Sequence, residues 1–317
     1  MPIDHDRLGE SFRKSTMRAV CHFALAVLGI LCAASPAARE PASEVRHLEV
    51  GNIDRTYRLH RPTTLAANTA VPLVIMLHGG FGSGGQAEGA YGWDELADRE
   101  GFLVAYPDGL HRSWNAGGMC CGPALRNQVD DTGFLDRLIE TLIAHEGVDP
   151  ARVYLTGMSN GAAMAYRYAC AGEHRLAAIG PVAGTFSLAC SRPQPVSVLA
   201  IHGLADEHVP FAGGQGTKGV TRGEWVPVPR TIAAFRQASR CGAPLVRQDG
   251  PVHRDSASCE EGRDVVLLTI EAAGHQWPGP ERRSLGQRTL GADPPSRALD
   301  ATQVLWAFFA AHRSRRS

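Results

Sequence analysis

Val153-Tyr154-Leu155-Thr156-Gly157-Met158-Ser159-Asn160-Gly161 decides the fold. The β-branched, aromatic and aliphatic residues Val153, Tyr154 and Leu155 suit a strand. The stretch from Asn160 to about Cys170 reads as a helix. A strand passing into a helix through so short a turn must bend sharply. The positions flanking Ser159 must then be nearly free of side chain, as Gly157 and Gly161 are. Glycine is common in this chain, 35 residues of 317, so the five-residue pattern alone is weak; a loop serine without a role is the plain alternative. The strand-turn-helix setting gives it weight. Such a turn lifts the Ser159 hydroxyl above the sheet edge, over a helix N-terminus.

Working outward, the same alternation repeats. Upstream, Val45–Pro62 alternates through Leu48, Val50, Tyr57 and Leu59 around Gly51-Asn52, a β-hairpin pattern. Pro72 to Leu77 is an unbroken apolar run ending in His78-Gly79-Gly80, which suits a strand covered on both faces. Phe102–Tyr106 reads as a strand. Phe134, Leu135, Leu138, Ile139, Leu142 and Ile143 mark one face of a helix. Downstream, Leu176–Val182, Val196–Ile201 and Val265–Ile270 read as strands, Thr231–Ser239 as a helix. Ala301–His312 reads as a closing helix with Val304, Leu305, Phe308 and Phe309 inward. Strands alternating with helices predict an α/β fold with a mainly parallel, doubly wound sheet, and residues 45–313 as a single domain.

A serine hydroxyl needs a base, and the base an orienting acid. After Ser159, the strand Val196–Ile201 ends in His202-Gly203-Leu204-Ala205-Asp206. A carboxylate just past the carboxyl end of a strand shares the rim with the turn at Ser159. Asp206 is therefore the candidate acid, with Glu207 as runner-up and a turn-capping role as the alternative. Of the later histidines, His208 is too close to Asp206 to come from a separate loop, His253 lies between Cys241 and Cys259, and His312 sits in the last helix. His275, in Gly274-His275-Gln276-Trp277-Pro278-Gly279 after the last strand, is the candidate base. Negative charge developing on a carbonyl oxygen would be met by two backbone N–H groups, those of Asn160 and Gly80, with Phe81 close behind Gly80. Trp114 and Trp277 are candidate pocket walls, with packing under a rim loop as the alternative. Asp130 and Asp131 are read as helix-capping residues. This chemistry implies no metal and no organic cofactor.

Lys+Arg and Asp+Glu balance at 32 each, so no basic excess draws in nucleic acid. The N-terminus reads differently from the rest. Arg13, Lys14 and Arg18 precede the apolar run Ala19–Ala34 and then Ser35-Pro36-Ala37-Ala38, the order of a secretory signal, so residues 1–38 are expected to be removed. The run is short of the ~20 residues that span a bilayer, so no stable membrane anchor is expected after cleavage. Nor does a small residue directly precede Cys32, as a lipoprotein anchor would need. Met17-Arg18 opens a compact signal by itself, and translation is expected to start at Met17. Removing Cys21 and Cys32 leaves six of the eight cysteines, enough for 15 pairings. Cys241–Cys259 is the expected bridge, closing a polar loop that holds His253. Adjacent Cys120 and Cys121 are expected to look to Cys170 and Cys190, with one of the four left free as the alternative. Zinc at Cys120-Cys121 is a rival that lacks C-x-x-C spacing.

With these elements placed, the chain resembles the polyhydroxybutyrate depolymerase/feruloyl esterase group of α/β-hydrolases from about residue 45 to 312. The resemblance rests on His78-Gly79-Gly80, Trp114-Asn115, Cys120-Cys121-Gly122, Asp130-Asp131 before Gly133-Phe134, Gly157–Gly161, His202-Gly203 through Asp206–Pro210, and Gly274–Gly279. It implies an α/β-hydrolase fold and secreted or periplasmic hydrolysis of carboxylic esters, with Ser159, Asp206 and His275 in the triad positions. The expected partner is a small-molecule or oligomeric ester. No linker or polymer-binding domain follows before Ser317, so soluble oligomers or hydroxycinnamoyl esters are expected over crystalline polymer. Two rivals are a serine peptidase on the same fold and a catalytically silent protein binding sugars or aromatics.

Overall fold

The unbroken apolar runs form the middle of the sheet. The computed structural model describes residues 43–66, 69–118, 122–173, 176–186, 190, 193–219, 224–279 and 293–314. The signal peptide over 1–38, the start at Met17 and the cysteines Cys120 and Cys121 lie outside them. Strands β1 (Val45–Val50) and β2 (Ile53–His60) make the expected hairpin, with Val50 opposite Ile53. They are followed by β3 (Val71–Leu77), β4 (Leu103–Pro107), β5 (Val148–Met158), β6 (Ala178–Val182) and β7 (Ser197–Gly203). The last three strands are β8 (Leu245–Asp249), β9 (Val252–Ser258) and β10 (Asp264–Ile270). Their order in the sheet is β1-β2-β4-β3-β5-β6-β7-β10-β9-β8. From β4 to β10 the neighbours run parallel, and the two edges are antiparallel.

Alternate residues of each central strand enter two different cores, because successive strand side chains point to opposite faces. From β3, Leu73, Ile75 and Leu77 join one core, and Val74 and Met76 the other. The first core is closed by α4 (Asp131–His145), α5 (Asn160–Ala171) and α6 (Val228–Ala238), through Phe134, Leu138, Met164, Tyr166, Ile232 and Phe235. The second is closed by α1 (Gly84–Tyr91), α2 (Trp93–Glu100) and α7 (Ala301–Ala310), through Trp93, Leu96, Leu305 and Phe309, while the short α3 (Gly122–Arg126) precedes α4. Each such side chain contributes roughly 1.5–3 kcal/mol by leaving water. This two-sided cover explains why the central strands show no polar alternation. The helices begin where side chains can accept their first N–H groups: Ser83 from Gln86, Asp130 from Gly133, Asp300 from Thr302 and Gln303.

The sequence reading is corrected in two places. The segment between Cys241 and Cys259, read as a polar loop holding His253, is the β8–β9 hairpin; β9 pairs with β10 and extends the sheet. Strand β8 is exposed along its whole length, so no buried period betrays it. The Cys241–Cys259 disulfide forms as expected, at the base of this hairpin. Cys170, however, is bonded to Cys190, their Cα atoms 6.0 Å apart. Neither sulfur is left for Cys120 or Cys121. Among the described residues, no helix is long and apolar enough to cross a membrane.

The topology creates a crevice at one place. From β3 the chain goes to β4 on one side, then returns across β3 to β5 on the other. The loops after β3 and β5 therefore diverge, and a ligand can enter between them at the carboxyl ends of the strands.

Candidate active site

Ser159 stands at that divergence. Its backbone has φ 57° and ψ −117°, a conformation that costs a side-chain-bearing residue roughly 1–3 kcal/mol. Its N–H donates to Val182 O (2.9 Å) and its C=O accepts from Ala163 N–H (2.9 Å), so the strain is held between β6 and α5. A Cβ added at Gly157 would meet the Gly161 carbonyl at 2.7 Å. One added at Gly161 would meet the Leu77 and His78 carbonyls at 2.5 and 2.6 Å. Both glycines are thus required by backbone packed on backbone.

The candidate base and acid reach Ser159 from the far side of the crevice. His275 Nε2 lies 2.8 Å from Ser159 Oγ, and His275 Nδ1 lies 2.8 Å from Asp206 Oδ2. Asp206 Oδ1 accepts the N–H groups of His208 (2.9 Å) and Val209 (2.8 Å). Burial alone would raise the Asp206 carboxyl. The His275 bond and charge, the His202 ring and the Val209 N–H outweigh it and leave the group below the ordinary carboxylate range. Asp206 is therefore an acceptor at neutral pH, which fixes a proton on Nδ1 and leaves Nε2 free to take one. Glu207, the runner-up, is exposed and pairs with Lys218.

The two loops carrying these residues touch. Leu204 N–H donates to Ile270 O (3.0 Å) and Ala205 N–H to Ala273 O (2.9 Å). A Cβ at Gly203 would fall on the Ala273 carbonyl. His275 N–H donates to Asp293 Oδ2 (2.8 Å), and Gln276 Oε1 accepts Ser296 N–H (3.0 Å). Beneath Asp206, buried His202 donates from Nε2 to Val209 O at 2.8 Å. Burial foremost, and the nearby His275, lower its basicity against the pull of Asp206, so it is neutral.

The loop after β3 lies over the sharp turn at Ser159, the elbow: an added Cβ at Gly79 would be 3.6 Å from Ser159 Cβ, and one at Gly80 3.9 Å from Asn160 Cβ. Phe81 N–H donates to Arg112 O (2.7 Å), which commits that donor and leaves Gly80 the better candidate beside Asn160. His78 is wholly buried; it accepts Gly109 N–H on Nε2 (2.9 Å) and donates from Nδ1 to Gly79 O (2.7 Å). Burial pushes its pKa down to about 4, so it serves this loop uncharged.

The two tryptophans are corrected as pocket walls. Trp114 is 0% exposed. Its indole N–H donates to His78 O (2.9 Å), and its main chain exchanges two bonds with the Asn160 side chain (2.7 and 3.0 Å). It joins the two loops from below. Trp277 packs on Tyr91 and Trp93 and donates to Thr302 Oγ1 (3.1 Å), anchoring the His275 loop in the second core. The exposed apolar side chains at the rim are instead Phe81, one residue past Gly80, and Leu204, two before Asp206. Asp130 caps α4 as expected. Asp131 does not cap it by side chain: it is fully buried, paired with Arg55 at 2.7 Å, and accepts Asn115 N–H (2.7 Å). Removing one partner of such a pair costs ~3–5 kcal/mol. Sequence reading did not find Arg55, Asp293 or the roles of His202 and His208. Among the described residues, no group of three or more His, Cys, Asp or Glu side chains is arranged to hold a metal ion.

Comparison with known proteins places the chain in a family. Residues 55–203 match the family described as esterase PHB depolymerase. A putative esterase, NocK, from Nocardia uniformis subsp. tsuyamanensis is 32% identical over 272 residues, covering 77% of this chain and 78% of that protein. A probable feruloyl esterase C from Aspergillus flavus is 30% identical over 268 residues, 81% of this chain and 84% of that one. Among solved structures, an acetyl xylan esterase from Aspergillus awamori superposes with a TM-score of 0.57. The match covers 84% of this chain and 99% of the other, at 14% identity, and so bears on the fold alone.

Proposed function

Because this chain belongs to the PHB depolymerase family of esterases and is a serine esterase with the α/β-hydrolase fold, we propose that Ser159, His275 and Asp206 carry its chemistry as nucleophile, base and orienting acid. The observation that carries this reading is the bridge made by one imidazole, 2.8 Å to Ser159 Oγ and 2.8 Å to Asp206 Oδ2. An esterase replaces both rivals, the peptidase and the silent binding protein.

Ser159 Oγ attacks the ester carbonyl carbon while its proton passes to His275 Nε2. The resulting imidazolium is balanced by Asp206. The N–H groups of Asn160 and Gly80 meet the oxyanion; each such donor is worth ~3 kcal/mol in the transition state. Collapse breaks the bond to the alcohol, which leaves with the proton from His275. Water then attacks the acyl-enzyme by the same path, releasing the acid and restoring Ser159.

The substrates are soluble hydroxyalkanoate oligomers or hydroxycinnamoyl esters, supported by the family description and by the feruloyl esterase among the relatives. Exposed Phe81 and Leu204 support an apolar acyl or alcohol group at the rim. The enzyme works in an oxidising compartment, secreted or periplasmic; the two disulfides support this, since such bonds persist there. Rates on methyl ferulate and on a soluble 3-hydroxybutyrate trimer test the substrate assignment. Turnover of either supports it, the faster one naming the class. Turnover of neither, with a short-chain nitrophenyl ester still cleaved, removes both.

A further inference from the structure

His208 is two residues from the acid and is unused by the mechanism above. Its imidazole stacks on that of His275, the ring centroids 4.8 Å apart and the planes 24° from parallel. The main chain that carries this ring is held on both sides. Its N–H is held by Asp206 Oδ1 at 2.9 Å. Its C=O is covered by the loop at Gly216 and Gly219, where added Cβ atoms would collide with it or sit 3.1 Å away. The same loop is tied down by Lys218 N–H to Glu207 O (3.1 Å). One carboxylate thus holds the base through its Nδ1 and, through the other oxygen, the residue stacked on the base.

We propose that His208 is a positioning residue: its ring is the wall that keeps the His275 imidazole turned toward Ser159, and it does so only while uncharged. This rests on the assignment of His275 as base. Orientation errors of about 1 Å at a reacting group cost up to ~10²-fold in rate, so a ring face that limits imidazole rotation has a measurable effect. The charge requirement follows from the neighbours. When Ser159 gives up its proton, His275 becomes positive; a protonated His208 would set a second positive charge against it. Asp206 is the nearest anion, but its two oxygens are already engaged, by His275 Nδ1 and by the N–H groups of His208 and Val209, and uncharged His202 lies 3.7 Å from Oδ2. Glu207 beside His208 is engaged by Lys218, and Asp293 by the His275 N–H.

The test compares the wild type with His208→Ala and His208→Phe on a short-chain nitrophenyl ester. Phenylalanine keeps a flat ring and takes no proton. His208→Ala is expected to lower kcat about tenfold with KM unchanged, and His208→Phe to recover it to within about twofold. The acid limb of kcat is expected to fall with a slope above one in the wild type and a slope of one in His208→Phe. Wild-type kcat in His208→Ala, or a phenylalanine variant no better than the alanine one, overturns the proposal. Labelling by a fluorophosphonate separates this from the parent reading. If the wild type labels at Ser159 and His208→Ala labels equally fast, the positioning role fails alone. If the wild type does not label at Ser159, the nucleophile assignment fails with it.

Discussion

The two halves of the site are held by different means. On the nucleophile side, Ser159 is set by backbone against backbone: Gly157 on Gly161, Gly161 on the carbonyls of Leu77 and His78, and a strained φ of 57°. On the base side, His275 is set by side chains from distant segments: Asp206 and His208 from the loop after β7, Asp293 at its N–H, and Thr302 of α7 through Trp277. The first device leaves no room for change and is written in adjacent residues. The second spreads its support over many groups, so each one matters less.

This contrast sets the sizes of the expected effects. Gly161→Ala should be the most damaging, because its Cβ has only immovable carbonyls to displace. It is expected to cost about 3 kcal/mol of stability and to abolish activity by pushing away the loop that carries Gly80. Gly89→Ala, in α1 with nothing within 4 Å of the added carbon, is the control and should gain about 0.5–1 kcal/mol. Denaturant unfolding of both variants measures the difference, and equal midpoints would erase the distinction. On the base side, Asp293→Ala removes the acceptor of His275 N–H alone. A kcat loss of about tenfold is expected, with stability nearly unchanged, while Asp293→Asn, which keeps an acceptor oxygen, should approach the wild type. A loss in Asp293→Ala as complete as in Gly161→Ala would mean that the base is held as rigidly as the nucleophile.

The same contrast explains what the sequence showed. The elbow is local, so Gly157, Ser159 and Gly161 were legible from spacing. Asp206 and His275 were legible because each directly follows a strand of a parallel sheet, whose carboxyl ends lie on one rim. The supports were not. Asp293 meets His275 from 18 residues away, and Arg55 meets Asp131 from 76. Nothing in the identity of these residues announces such partners. Trp114 and Trp277 sit on loops, and an indole suits a pocket wall and a packed interior equally; only their partners His78 and Thr302 decide for the interior. Strand β8 escaped because Leu245 and Val246 are both exposed, leaving no inward period to read. The Cys170–Cys190 bond depends on where the end of α5 meets the loop before β7, which composition does not encode.

The central claim is that Ser159 is the nucleophile of this esterase. The most direct test measures hydrolysis of a short-chain nitrophenyl ester by the wild type and by Ser159→Ala, with thermal unfolding of both. The account predicts a fall in kcat of about 10⁴-fold or more and a melting temperature at least as high as that of the wild type, since Ser159 makes its structural bonds through its backbone. A folded Ser159→Ala enzyme with full activity would contradict it.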